Sequence, residues 1–225
     1  MRIIDLVISI FALLCLLPLF VIISLILRYT GEGEIFFRQD RVGQFGESFK
    51  VIKFATMLKD SPNMGSGTIT SKNDPRILPV GKFLRKTKIN ELPQLLNVLY
   101  GQMSLIGPRP HAERDLAGIR PEVLNELLKL KPGLSGIGSI VFRNEEEILN
   151  TLEDPRPFYD SIIAPYKASL EVWYSCNKSN YLNLQLIIIT LLVVMRNRSI
   201  KVHDIFSDLP KPPYELRSFL DVDTM

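Results

Sequence analysis

The chain has little of what would make it a disulfide-stapled, secreted or nucleic-acid-binding protein. Only two of its 225 residues are cysteine, which excludes a disulfide framework. Cys15 also lies inside an apolar run, so no pairing is expected and a reducing, cytosol-facing protein is the default. Neither sign of charge dominates. Twenty-seven basic and 24 acidic residues leave a formal net charge of +3 and a pI of about 8.8, and composition alone gives no argument for nucleic acid. No internal repeat is evident. The apolar N-terminus is not followed by a small-x-small cleavage site, which disfavours a removable signal peptide.

What is present is a strong segregation of apolar residues to the first 27 positions and to Leu184–Met195. Leu6 to Leu27 carries no charge, with Arg2 and Asp5 before it and Arg28 after it. As a straight helix it would reach about 33 Å, enough for a bilayer core. Pro18 in mid-run removes a backbone bond and can break the helix. Two readings follow: a kinked transmembrane span, or a re-entrant hairpin returning to the same face. The second apolar stretch is too short to span and reads as a core or interface helix.

The rest is organised around Lys82–Pro110, KFLRKTKINELPQLLNVLYGQMSLIGPRP. Lys82, Arg85, Lys86 and Lys88 lead into Asn90-Glu91. Ile89, Leu92, Leu95, Leu96 and Leu99 then recur at three- and four-residue steps and share one helical face. Asn90, Glu91, Gln94 and Asn97 fall opposite. With Asn90 as N-cap and Pro93 in the first turn, the helix would present free N–H groups beside the cations, a setting for phosphate or pyrophosphate. Gly107-Pro108-Arg109-Pro110 follows as a turn holding Arg109 rigidly. The bland alternative is a well-capped, solvated helix.

This block resembles the core of the bacterial sugar transferases, the monotopic polyprenyl-phosphate phosphoglycosyl transferases. The residues carrying the likeness are Asn90-Glu91-Leu92-Pro93-Gln94, Asn97-Val98-Leu99, Gly101, Met103-Ser104 and Gly107-Pro108-Arg109-Pro110. Further matches are Arg2–Asp5, Phe36–Gln39, Arg41–Gly43, Pro132–Gly136, Arg143 and Glu171-Val172-Trp173-Tyr174. The resemblance implies transfer of a phosphosugar from a nucleotide (UDP) sugar to undecaprenyl or another polyprenyl phosphate, starting cell-surface glycan assembly. It also implies Mg²⁺, the re-entrant form of the N-terminal helix, and a place on the cytosolic face of the bacterial inner membrane. Asn90, Glu91 and Arg143 are then the catalytic positions, with Glu91 as metal ligand. Lys88, Arg85, Pro108, Arg109, Pro110 and Glu171 are the substrate-binding positions.

Three positions, and the segment Ile137–Asn144 around Arg143, depart from the family pattern. Asn90 stands where the family has its nucleophilic Asp, Ala55 where it has Arg, and Leu17 where it has a Ser before the proline. A neutral amide is a poor nucleophile. The readings left open are a divergent active branch in which Glu91 carries the essential carboxylate or the acceptor phosphate attacks directly, an Asp-to-Asn trap, and an inactive protein that binds polyprenyl phosphate or scaffolds a glycan assembly complex. A DNA-binding role for the basic run is weak, because the run is short and lacks interleaved aromatics.

The expected fold is α/β, mostly α: a membrane-associated body with the broken N-terminal helix, amphipathic interface helices and a small hairpin from Ile35–Phe37 and Phe49–Phe54 around Gly43–Gly46. Residues 1–30 form the membrane helix, 31–200 the catalytic domain and 201–225 a tail expected to be peripheral. Arg38 and Arg41 read as surface cations or as contacts to headgroups and substrate phosphate. Asp60–Asp74 reads as a mobile loop over the site or a passive linker. Glu122–Lys131 reads as a short amphipathic helix, and Glu145–Glu147 as a solvated helix start. Partners are the nucleotide sugar, the polyprenyl phosphate and membrane lipid, with a homodimer left open.

Overall fold

The computed structural model describes residues 2–61, 64, 74–116, 119–196 and 201–220. Most of the expected loop between Asp60 and Asp74 lies outside the described residues. The chain divides into two compact units, Met1–Asp40 with Phe49–Met103, and Arg41–Ser48 with Ser104–Met225.

The first unit begins with α1 (Arg2–Tyr29), a single helical element with Pro18 inside it. The sequence predicts a kink or a return at that proline, and helical structure runs through it to Tyr29. Ile23 and Leu27 are buried with Phe54 and Leu84 in a small apolar cluster. Asp5 and Ser9, near the other end, are buried too. Between them most large side chains are exposed, among them Phe11, Leu14, Leu17 and Val21. At the head of the helix the Arg2 guanidinium donates to the carbonyls of Val98 and Leu99.

Strands β1 (Phe36–Val42) and β2 (Ser48–Phe54) pair as the expected hairpin. Its turn is a short 3₁₀ segment, Gln44–Gly46, where Phe45 and Gly46 both take positive φ. Along β2, Phe49 and Val51 are buried while Ser48 and Lys50 face outward, the alternation of a half-buried strand, and Phe54 at the strand's end is buried out of that alternation. Helix α2 (Pro79–Lys86) follows, with proline at its start, where a missing N–H costs nothing. A 3₁₀ turn (Ile89–Glu91) and α3 (Gln94–Leu99) complete the unit.

In the second unit β3 (Ser104–Ile106) pairs in parallel with β4 (Gly133–Ser135), Ser104 opposite Gly133 and Ile106 opposite Ser135. Between the two strands lie α4 (Glu113–Leu116) and α5 (Pro121–Leu128). The latter is the helix expected from Glu122, begun one residue earlier by Pro121. After β4 come α6 (Ile137–Val141), α7 (Glu145–Asn150) and α8 (Pro155–Phe158). A π-helical turn (Tyr159–Ile163) then leads into α9 (Ala164–Asn177).

Helix α10 (Asn180–Arg196) buries Leu182, Leu186, Ile189 and Val193 in the main core and leaves Leu184, Ile188, Leu191 and Met195 exposed. The two segments after it, α11 (Val202–Ile205) and α12 (Tyr214–Arg217), correct the expectation of a peripheral tail. Val202, Phe206, Leu209 and Leu216 are buried in the same core as Leu170, Trp173 and Tyr174. Four apolar residues spaced over a proline-rich stretch carry no periodicity, so their burial could not be read from the pattern.

Candidate functional site

Helix α2 ends at Lys86, and Lys88 takes the left-handed conformation (φ 60°) that turns the chain into the Ile89–Glu91 segment. Asn90 is therefore not the N-cap the spacing suggested. It lies inside the 3₁₀ turn, and α3 starts only at Gln94, after Pro93. The polar side of this stretch is not solvated either, since Asn90, Gln94 and Asn97 are all buried.

Asn97 explains why. Its Nδ2 donates to the Lys50 carbonyl at 2.8 Å and to Gln102 Oε1 at 2.8 Å, while its Oδ1 accepts the Ile52 N–H at 3.0 Å. A donor and an acceptor on adjacent backbone fix the orientation of the amide. Asn97 thus ties α3 to β2, and β2 delivers Lys53, whose Nζ lies 3.0 Å from Glu91 Oε1. Both side chains of that pair are about four-fifths covered (18% and 17% exposed), so their attraction is screened less than at an open surface.

The two carboxyl-type positions differ sharply. Asn90 is 6% exposed, and its Oδ1 is buried with no hydrogen-bond partner. Glu91 keeps part of its side chain in reach of solvent. A neutral amide tolerates the covered position far better than an isolated carboxylate would. Upstream, Arg85 reaches Met57 Sδ at 3.7 Å. The Arg76 guanidinium, which the sequence reading passed over, donates to both Asp74 carboxylate oxygens and to the carbonyls of Ser61 and Met64. Hydrogen bonding to Arg76 lowers the Asp74 carboxyl to about 2.

The second unit holds Pro108, Arg109, Pro110, Arg143 and Glu171. Their framework is two interlocked turns. Gly107 N–H donates to the Ser135 carbonyl and Gly133 N–H to the Pro108 carbonyl, 2.9 and 2.8 Å. A Cβ on Gly107, Gly133 or Gly136 would overlap the backbone of the opposite turn, so only glycine permits the approach. The Gly-Pro-Arg-Pro turn, with Pro108 buried and Arg109 exposed, is thereby joined to the segment that runs through α6 to half-buried Arg143.

Glu171 on α9 braces that segment. Gly138 donates its N–H to the Glu171 carboxyl, and a Cβ at 138 would stand 2.6 Å from Oε1. Glu171 is 6% exposed and its Oε2 is buried without a partner. Burial raises its pKa to about 7, against the opposing pull of Lys167 and the Gly138 N–H. Lys167, one turn back on α9, is pushed down by burial and held up mainly by Glu145, with which it forms an ion pair. Its ammonium also lies 5.3 Å from the Phe142 ring centre and 5.7 Å from that of Tyr159, and it feels the Arg109 charge.

Arg109, Lys167, Glu171 and Glu145 therefore form one electrostatic group, in which Glu145 is not the solvated residue expected. Lys53, Lys167 and Asn97 were missed as site residues. Only Lys167 left a signal, its i,i+4 spacing to Glu171 on a helix. Arg38 is exposed, and Arg41 is half-buried in the hairpin.

Comparison with known proteins agrees with this layout. The family model described as bacterial sugar transferase matches residues 1–197. Among curated relatives, the UDP-glucose:undecaprenyl-phosphate glucose-1-phosphate transferase of Klebsiella pneumoniae is 35% identical over 201 residues, 88% of this chain and 40% of its own length. The UDP-galactose-lipid carrier transferase of Erwinia amylovora is 32% identical over 209 residues, 87% of this chain and 40% of its own. The exopolysaccharide production protein ExoY of Rhizobium meliloti (strain 1021) is 36% identical over 148 residues, 60% of this chain and 65% of its own. The chain thus spans about 40% of the length of the first two. With 197 consecutive positions matched, from the head of α1 to the end of α10, the chain belongs to the bacterial sugar transferase family.

Proposed function

We propose that the protein transfers a phosphosugar from a nucleotide-diphosphate sugar to undecaprenyl phosphate, the kind of reaction named for the Klebsiella pneumoniae relative. In that transfer the bond between the bridging oxygen and the β-phosphorus breaks and its electron pair leaves with the nucleoside monophosphate. A new P–O bond forms to the β-phosphorus. The observation that carries this reading is the Lys53–Glu91 pair, which keeps a charged carboxylate in the family's dyad beside a covered, neutral Asn90. Glu91 is assigned the essential carboxylate, and Arg109 and Arg143 the phosphoryl oxygens, which suit guanidinium forks.

The donors at the dyad fit Mg²⁺. The ion takes one or two carboxylates and otherwise water or phosphate oxygens, and Glu91 with the unpartnered Asn90 Oδ1 offers such a set. Bound there, Mg²⁺ would neutralise charge on the phosphoryl oxygens. Lys53 orients the Glu91 carboxylate through their ion pair, and the Asn97 tie to β2 sets where Lys53 stands.

The same reading places the protein on the cytosolic face of the bacterial inner membrane, with α1 re-entrant. Support comes from the engagement of both helix ends by one unit, Arg2 by Val98 and Leu99, and Ile23 and Leu27 by Phe54 and Leu84. The middle of the helix is left apolar and exposed, as is the outer face of α10, which suits lipid.

The deciding experiment measures UMP release from a panel of UDP-sugars with undecaprenyl phosphate and Mg²⁺. Release by the unaltered chain is expected. Arg109→Lys and Arg143→Lys should each weaken nucleotide-sugar binding. A chain inert with every sugar that still binds polyprenyl phosphate would establish the inactive, lipid-binding alternative, which the buried neutral amide at position 90 favours.

A further inference from the structure

The segment from Lys201 to Leu220 follows the last residue matched by the family model, yet it grips α9 at two points. Trp173 Nε1 donates to Asp208 Oδ2 at 2.9 Å, and the indole lies 5.6 Å from the Phe206 ring. Two turns earlier, the Tyr166 hydroxyl donates to the Pro210 carbonyl at 2.8 Å and meets His203 Nε2 at 2.8 Å. Val202, Phe206, Leu209 and Leu216 fill the same core as Tyr166, Leu170 and Trp173. Residues 166 and 173 share one stripe of the helix, and 167 and 171 lie roughly 100–140° around from it. The tail therefore holds one side of α9 while Lys167 and Glu171 project from a different side of the same helix.

We propose that this segment is a clamp that positions α9, so that Asp208 and His203 act through Trp173 and Tyr166 as positioning residues for Lys167 and Glu171. A helix fixed at two points two turns apart cannot roll or slide. The Glu171 carboxyl accepts the Gly138 N–H, and a Cβ at 138 would stand 2.6 Å from its Oε1, so its place depends on where α9 is held. Tyr166 adds a second route, because its ring meets the Phe142 ring at 5.9 Å and Phe142 also lies under Lys167. The clamp lies outside the matched family region, and it ends on the residues beside the cations assigned to substrate phosphate.

The test uses the full-length protein and the fact that Trp173 is its one tryptophan. Asp208→Ala removes the acceptor, Asp208→Asn retains one, and Tyr166→Phe removes only the hydroxyl. Asp208→Ala should shift Trp173 emission and speed amide hydrogen exchange across residues 136–143 at least fivefold, with the global unfolding transition still cooperative. Asp208→Asn should restore both signals, and Tyr166→Phe should reproduce the faster exchange. Resting on the proposed transfer activity, Asp208→Ala should also raise KM for the nucleotide sugar about five- to tenfold while kcat changes less than twofold. Faster exchange in 136–143 without any turnover in the unaltered chain would overturn the transfer reading and leave the clamp standing. A shifted Trp173 emission with unchanged exchange in 136–143 would overturn the clamp. If Asp208→Ala fails to fold, Tyr166→Phe decides by the same exchange measurement.

Discussion

Lys53 and Glu91 are 38 positions apart in the chain, and their side chains meet at 3.0 Å because Asn97 holds α3 against β2. Positions 90 and 91 are therefore a covered amide beside a carboxylate with a cation partner. Glu91→Gln keeps the volume and removes the charge, and it should lower UMP release by at least about 100-fold, the scale for losing one charge-stabilising group. Lys53→Met should lower it less, about tenfold. Both are read in the same steady-state assay, with circular dichroism to show an intact fold.

Asn90→Asp tests the opposite assignment. It would place a second negative charge beside Glu91 in a position only 6% exposed, where burial and the like charge both oppose ionisation. Turnover should stay within about threefold of the unaltered chain or fall. A gain of tenfold or more in UMP release would return the nucleophile's role to position 90.

Asn97→Ala should cost about 2–4 kcal/mol in chemical denaturation, because it strands the Ile52 N–H and the Lys50 carbonyl in a part-buried site. Asn97→Asp should be nearly as damaging, since a carboxylate cannot donate to the Lys50 carbonyl.

Glu171 carries a pH signature. Its pKa is raised from 4.5 to about 7 in the folded protein, so the native state holds its proton more tightly than the unfolded chain. The stabilisation is fully present below about pH 4.5 and is lost as pH rises to about 7, up to about 3 kcal/mol in all. Glu171→Gln should flatten this part of the stability–pH curve measured by denaturant unfolding between pH 4.5 and 7.5. An unchanged slope would show that another group is responsible.

Topology is checked with single cysteines at Ile3 and Lys59, after Cys15 and Cys176 are replaced. An impermeant thiol reagent added to inverted inner-membrane vesicles should label both. Pro18→Ala, which allows an unkinked backbone bond, should shift Ile3 towards the protected side. Labelling at Lys59 alone in the unaltered chain would show a true span.

By itself the sequence determined the long apolar helix, the hairpin and the family, because each was written in local signals. An uncharged run must be covered by lipid or protein, alternation specifies a strand, and the Asn90–Gln94 and Gly107–Pro110 runs survive as contiguous motifs. Tertiary structure alone decided which polar groups are buried and what they meet. Asn97 looked like a solvated helix residue until β2 supplied its backbone partners. Glu145 looked solvated until Lys167 reached it. Asp208 and His203 carried no pattern until Trp173 and Tyr166 met them. A hydrogen bond or ion pair between distant residues depends on a placement accurate to a few tenths of an ångström. Periodicity records only which face of an element turns inward, not what waits there.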